Sequence, residues 1–297
     1  MDNNKISEEL ISGVVESLSN ISTSTDVYHQ GHDKIPFPSS AVLREIVDMA
    51  REVLFPGYFG SAVINQSTIK YYIGVLVDRL SQLLFDQVLA GLCFSECKDS
   101  ADLMVKQKQA RCITEEFISY LPELRDVLLT DVIASFDSDP AAKSNAEIVL
   151  AYPTMKAVSS QRMAHKLWVL GVPFIPRMIT EMAHSETGID IHPGAQIGNY
   201  FSIDHGTGVV IGETAIIGNN VKLYQGVTLG AKKFPLDENG KPIKDAPRHP
   251  IVKDNVTIYS HAAVLGRITI GEGATIGANK WVLHDVPDGM FVKEDMM

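Results

Sequence analysis

Residues 189–230 read IDIHPGAQIGNYFSIDHGTGVVIGETAIIGNNVKLYQGVTLG, and one regularity orders them: a branched aliphatic returns every six positions. Ile191, Ile197 and Ile203 form the first set, and Ile211, Ile217, Leu223 and Leu229 the second. Val252, Ile258, Val264, Ile270, Ile276 and Val282 form a third. Neither a helix of 3.6 residues per turn nor simple strand alternation produces a period of six. A triangular solenoid does, when three short strands make a coil of about 18 residues and each side turns an aliphatic inward. Small residues follow many of these positions (Gly198, Gly212, Gly218, Gly230, Gly271, Gly277). Each buried aliphatic contributes roughly 1.5–3 kcal/mol, so the stack can hold the coils together without other secondary structure.

Two places break the period. Ile203 to Ile211 spans eight residues, so two extra residues swell the turn Asp204-His205-Gly206-Thr207-Gly208. Leu229 to Val252 spans 23, which ejects a polar loop, residues 231–249, AKKFPLDENGKPIKDAPRH. Insertions in repeat proteins map to loops, often on the binding face. Departures from an otherwise consistent pattern are where function is expected.

Upstream the period is helical. Within residues 67–92, Ile69, Tyr72, Ile73, Leu76, Leu80, Leu83, Leu84 and Val88 recur at three- and four-residue steps. Ser67 is expected to cap that helix, Ser144 and Glu147 have capping-box spacing, and Gly171 and Gly188 stand where helix C-caps belong. Pro38, Pro122, Pro140, Pro153, Pro173 and Pro176 are expected to punctuate the segments, giving six to eight helices. The class is α+β: an all-helical region 1–188, a parallel β-helix 189–289 and a short tail 290–297.

Composition bounds the function. Apolar residues make up 45% and charged residues 21%, ordinary for a globular protein. No apolar run approaches the ~18 residues of a membrane span. The start, MDNNKISEEL, lacks a secretory pattern, which points to the cytoplasm. Cys93, Cys97 and Cys112 agree with a reducing compartment. Cys93 and Cys97 could pair on a metal, but no second ligand pair follows at zinc spacing, so they read as small residues facing a helical core. A net charge of −10 argues against nucleic acid. An anionic ligand would have to use local cations, and Lys232, Lys233, Lys241, Lys244, Arg248 and Lys253 supply a cluster.

Asp190 precedes the inward Ile191, and His205 follows 15 residues later, close to one full coil. Adjacent coils lie about 4.8 Å apart, so a carboxylate and an imidazole are expected to meet there, the carboxylate fixing the tautomer and favouring the imidazolium of a proton transfer.

Here a resemblance becomes specific. DIHPGAQIG, SIDHGTGVVIGETA, VTLGA and the RHP at 248–250 are similar to the catalytic segments of the serine acetyltransferases, a family of hexapeptide-repeat acyltransferases. DPAA at 139–142 and the stretch through Arg162 keep that family's spacing to His205, so the likeness covers about residues 139–285. It implies a left-handed β-helix that moves acetyl from acetyl-CoA to L-serine, the first step of cysteine biosynthesis. His205 would be the general base, oriented by Asp190, with direct attack on the thioester and no acyl-enzyme. A hydroxyl is a weak nucleophile at neutral pH, which is why a positioned base is needed. Arg248 would bind the substrate carboxylate, whose geometry suits its planar fork. Asp139 and Asp204 would bind the ammonium group, and His249 would complete the pocket. Coenzyme contacts fall on Gly230, Ser260 and Ala278, and His261 stands where many relatives have glycine.

The resemblance also implies a homotrimer or a dimer of trimers, cysteine as a feedback inhibitor competing in the serine pocket, and no resident metal. The ending VPDGMFVKEDMM differs from the extended tail by which family members dock onto O-acetylserine sulfhydrylase, so that docking is not expected. Three rival readings stay open: a hexapeptide acyltransferase for homoserine or a sugar; a zinc β-helix hydratase using His192, His205, His249, His261 and His284; and a non-catalytic scaffold.

Overall fold

The structure, a computed structural model, describes residues 6–20, 35–60, 64–94, 100–233, 237–241, 243 and 246–293. Seven helices precede the strands among these residues: α1 (Glu8–Ser19), α2 (Ser40–Leu54), α3 (Ile69–Cys93), α4 (Ser100–Ser138), α5 (Asn145–Ala151), α6 (Pro153–Val169) and α7 (Ile175–Thr187). Local chemistry sets their ends. The Ser144 hydroxyl accepts from the Glu147 N–H at 3.2 Å, while Glu147 reaches back to the Lys143 N–H at 2.7 Å, one residue before the expected partner. Gly188 ends α7 with φ +70°, a conformation that favours glycine.

Two expectations are corrected. Thr68, not Ser67, is the N-cap residue of α3, because Asn65 Oδ1 takes the N–H groups of both and locks them in a turn. Pro122 does not break the chain but lies inside α4. It sits at an exposed position, where the backbone acceptor it leaves unpaired can be solvated. Cys93 is buried as expected and Cys112 is exposed; Cys97 lies outside the described residues. No described helix is long and apolar enough to cross a membrane.

The strands wind into five coils. The first holds β1 (Asp190–Ile191), β2 (Gln196–Ile197) and β3 (Ser202–Asp204). The second holds β4 (Val210–Ile211), β5 (Ile216–Ile217) and β6 (Lys222–Tyr224). The third holds β7 (Thr228–Gly230), β8 (Ile251–Val252) and β9 (Thr257–Ile258), and the fourth β10 (Ala263–Leu265), β11 (Thr269–Ile270) and β12 (Thr275–Ile276). The fifth has β13 (Trp281–Val282), a bridge at Val286 and β14 (Phe291–Val292), so the solenoid runs past residue 289 into the segment expected as a tail. Every pairing is parallel, in three sheets: β1-β4-β7-β10-β13, β2-β5-β8-β11 and β3-β6-β9-β12-β14.

The period-six aliphatics are buried, apart from the partly buried Ile197. Each side also contributes more than the one inward residue expected: Ile189, Ala195, Phe201, Val209, Ala215, Val221 and Val227, two positions earlier, are buried as well. Alternation along a strand requires this, since residues two apart share a face.

Helices and solenoid share one apolar core. A buried ion pair fastens them. Arg162 of α6 donates through Nε and Nη2 to Asp131 of α4 at 2.7 and 2.8 Å, and to the carbonyls of Ile197 and Gly198 in the first coil. Asp131 also accepts from the Phe201 N–H at 3.0 Å.

Candidate active site

The slip after Ile203 places a wide turn at the corner between the third and first sheets. His205 sits there with φ +59°, followed by Gly206 at +90°. A Cβ on Gly206 would come within 2.5 Å of Ile189 and 3.0 Å of Thr154, so only glycine lets this turn lie against α6. The imidazole of His205 is 74% exposed, with Nε2 3.8 Å from Asp204 Oδ1. The other oxygen of Asp204 is 3.5 Å from Lys222 Nζ, which donates to the Ser138 carbonyl at 2.8 Å. The next residue, Asp139, accepts from the Tyr152 hydroxyl and from the Ala141 N–H at 2.8 Å. These bonds, Tyr152 first, hold the Asp139 carboxyl below its usual range, and the charges of His205 and Lys222 act in the same direction. The same hydrogen bond pushes Tyr152 up to about 12. Asp139, Asp204 and His205, predicted from sequence to act together, thus gather at one corner.

Asp190 is elsewhere in its contacts. Its carboxylate is 3.7 Å from Arg177 Nη1 of α7, and it groups with Glu181 and His184. Among the described residues no hydrogen bond or ion pair joins it to His205. The reason is tertiary: α7 runs beside β1 and offers a guanidinium, while His205 projects from its corner into solvent.

The ejected loop returns at the corner between the first and second sheets. Arg248 Nη2 pairs with Glu213 Oε2 at 2.5 Å. Thr214 Oγ1 accepts from the N–H groups of Arg248 and His249 at 2.9 and 3.1 Å. The Thr214 N–H donates to His249 Nδ1 at 3.0 Å, which puts the proton of the neutral ring on Nε2. Burial, with the Arg248 charge second, lowers the His249 pKa to about 4, so the ring is neutral at pH 7. It lies against Gly212, where a Cβ would be 2.0 Å from the ring. Arg267 fastens the corner through the carbonyls of Thr214 and His249.

The two corners lie at opposite ends of one side of the prism, about five extended residues or roughly 16 Å apart. Ser260 and Ala278 follow His205 and Gln225 up the first corner on successive coils, linked by Asn279 N–H to the Ser260 carbonyl and His261 N–H to the Gln225 carbonyl, both 2.9 Å. Gly230, the third expected coenzyme contact, ends β7 at the arginine corner instead. The His261 ring covers Gly226, where a Cβ would be 2.2 Å away. The lysine cluster disperses: Lys232 packs its stem on Gly266, and Lys253 pairs with Asp288 at 3.3 Å. Lys244 lies outside the described residues. The five histidines of the zinc reading form no ligand cluster within one chain among the described residues; Glu181, His184 and Asp190 form one, and Arg177 contacts both of its carboxylates.

Sequence reasoning missed Tyr152, Lys222, Glu213 and Thr214. Lys222 pairs in register with Ser202, so the six-residue period could have found it. Glu213 and Thr214 lie inside the quoted VIGETA block. Tyr152 carries no sequence signal.

A serine acetyltransferase of Synechococcus elongatus, designated plasmid, is 44% identical over 288 residues, 96% of this chain and 90% of the relative. The chain belongs to the serine acetyltransferase family. The Bacillus subtilis serine acetyltransferase is 50% identical over 162 residues, 54% of this chain and 70% of that protein. Among solved structures, serine acetyltransferase 1 of Entamoeba histolytica in complex with L-cysteine matches with a TM-score of 0.73 and 34% identity, over 96% of this chain and 98% of the other. The Neisseria gonorrhoeae enzyme in complex with serine gives 0.55 and 25%, over 89% and 98%. No protein-family model matches the chain. Family membership agrees with the resemblance carried by the SIDHGTGVVIGETA and RHP motifs, and the parallel β-helix agrees with the hexapeptide period.

Proposed function

We propose that the chain transfers the acetyl group of acetyl-CoA to the hydroxyl of L-serine, giving O-acetylserine and coenzyme A. The observation that carries this reading is the convergence of Asp139 and Asp204 beside His205 at one solvent-facing corner. Two carboxylates suit the substrate ammonium, and an imidazole next to them can take the hydroxyl proton. As His205 accepts that proton, serine oxygen bonds to the thioester carbon; the tetrahedral intermediate then expels the thiolate, which recovers the proton from the imidazolium. Asp204 is the carboxylate nearest the imidazole and stabilises its charged form. Asp190 takes the orienting role only by exchanging Arg177 for His205.

The substrate carboxylate needs the other corner. A single amino acid cannot bridge roughly 16 Å, so Arg248 and His249 serve this site from a second copy of the chain. Threefold packing of triangular prisms supplies such a closed head-to-tail contact, and it would bring Gly230 of that copy toward Ser260 and Ala278. Cysteine shares both polar ends of serine and is expected to compete for the same pocket, as the L-cysteine complex of the Entamoeba relative supports.

The test is thiol release from acetyl-CoA with L-serine, L-homoserine, L-threonine and a sugar as acceptors. L-serine is expected to give the highest kcat/KM, and preference for homoserine or a sugar would overturn the assignment.

A further inference from the structure

Lys222 stands in register with Ser202 of the first coil and Thr257 of the third, two residues from Tyr224 and on the same face of the strand. Ser202 is buried where β3 packs on α4, so the lysine enters the junction between helices and solenoid. Its side chain is only 17% exposed, and a lysine so enclosed needs partners for its charge. Three elements supply them. The ammonium donates to the Ser138 carbonyl at the end of α4 at 2.8 Å, stands 3.5 Å from Asp204 Oδ2 at the end of β3, and lies 4.5 Å from the centroid of the Tyr224 ring. A helix C-terminus, a carboxylate and an aromatic face each favour a cation.

Asp204 is therefore shared. Its Oδ1 is 3.8 Å from His205 Nε2 while its Oδ2 faces the ammonium, which puts imidazole and ammonium within roughly 9.5 Å of one another. The other groups around them are Asp139 after α4, Glu147 on α5 and Tyr152 ahead of α6, while Asp190 of β1 is occupied by Arg177. Tyr152, pushed up to about 12 by its bond to Asp139, keeps its proton near neutral pH and adds no charge. The carboxylates favour an imidazolium over the neutral ring, and the Lys222 ammonium opposes them. A general base has to be neutral before its substrate arrives.

We propose that Lys222 is a positioning residue of the transfer: it is the fixed counter-ion of Asp204, and so keeps the His205 ring free to take the serine proton near pH 7. Asp204 still faces the imidazolium as it forms, with its second oxygen already turned to a cation. This role depends on the charge of Lys222, whereas a staple between α4 and the second coil would depend only on the hydrogen bond to Ser138. It rests on His205 being the base of the proposed acetyl transfer, and adds the residue that sets when that base is available.

The experiment is the pH profile of kcat/KM for L-serine, read by thiol release from acetyl-CoA with the full-length protein. Lys222→Met keeps the length of the stem and removes the charge; Lys222→Gln removes the charge but keeps an N–H donor for Ser138. Both are expected to move the acid limb to higher pH by about 0.3–1.3 units, the effect of one unit charge at roughly 9.5 Å for effective dielectric constants of about 80 to 20. Lys222→Arg is expected to restore the parent limb. Lys166→Met, which removes a cation paired with Glu116 away from this corner, is expected to leave the limb in place. A limb unmoved in both neutral variants, or a loss of kcat/KM that is equal at every pH, would overturn the proposal. So would a Gln variant that matches the parent while the Met variant does not, since that would make Lys222 a staple for α4. Titration of the histidine imidazoles by NMR, with the His205 signal assigned from His205→Asn, reads the same shift without substrate. If the parent releases no thiol with L-serine, the functional reading fails instead, and the imidazole titration still decides the counter-ion: identical His205 midpoints in the parent and both neutral variants would overturn it.

Discussion

Replacing Asp131 with alanine should uncouple the helices from the first coil, and the structure gives the size of the effect. The carboxylate is 1% exposed and accepts three hydrogen bonds, two from Arg162 and one from the Phe201 N–H. Removing one member of a buried ion pair costs roughly 3–5 kcal/mol, because the other charge stays buried. Arg162 keeps the carbonyls of Ile197 and Gly198 at 3.1 and 2.8 Å, which places its share near the lower end, about 3 kcal/mol. The orphaned Phe201 N–H adds about 1 kcal/mol. A loss of about 4 kcal/mol lowers Tm by roughly 8–16 °C in a chain of this size. Thermal unfolding followed by far-UV circular dichroism reads it directly. Kinetics read the consequence for the site: Asp139 follows α4 two turns after Asp131, so KM for serine should rise. The paired replacement Asp131→Leu with Arg162→Met removes both charges and should recover about half of the lost stability. A Tm within about 2 °C of the parent, or a paired variant less stable than either single one, would refute the reasoning.

His205→Ala should lower kcat by roughly 10²–10⁴-fold with the far-UV spectrum unchanged, the usual contribution of a general base; near-parental thiol release would remove it from that role. Mixing His205→Ala and Arg248→Ala chains, unfolded and reassembled together, should restore about a quarter of parental activity at low serine, since one in four contacts of a random ring pairs two intact corners; no recovery would place both corners in one chain. His249, held near 4 against an ordinary 6.5, refuses a proton that the unfolded chain accepts, so its contribution to stability falls as pH drops from 6.5 to 4 and then levels off. Urea midpoints for the parent and His249→Asn should therefore converge over that window, and a pH-independent difference would count against a buried neutral ring.

The solenoid was legible because its period matches no other regular structure, and both interruptions could be located by counting. Ile203 to Ile211 gave the His205 turn, and Leu229 to Val252 gave the loop that delivers Arg248. What counting did not show is that the two interruptions fall at opposite ends of the first sheet, which depends on the side of the coil each one interrupts. The partner of Asp190 was not legible either: α7 supplies Arg177 through packing, and nothing in the spacing of residues 177 and 190 reports that contact. Tyr152 was hidden for the same reason, since it meets Asp139 across the short helix α5. Pro122 shows the reverse error, a strong local signal overridden where the helix faces water.

The anchoring of Asp139 beside the first coil divides the prism into a fixed end and a free one. Duplicating one eighteen-residue winding after Val282 would leave the carboxylates and the imidazole in place, because they depend only on the helix junction and the first two windings. The same duplication placed ahead of Asp204 would lift that carboxylate one storey away from its partner. Lineages can therefore lengthen the far end as modular architecture while the near end is held to a single design.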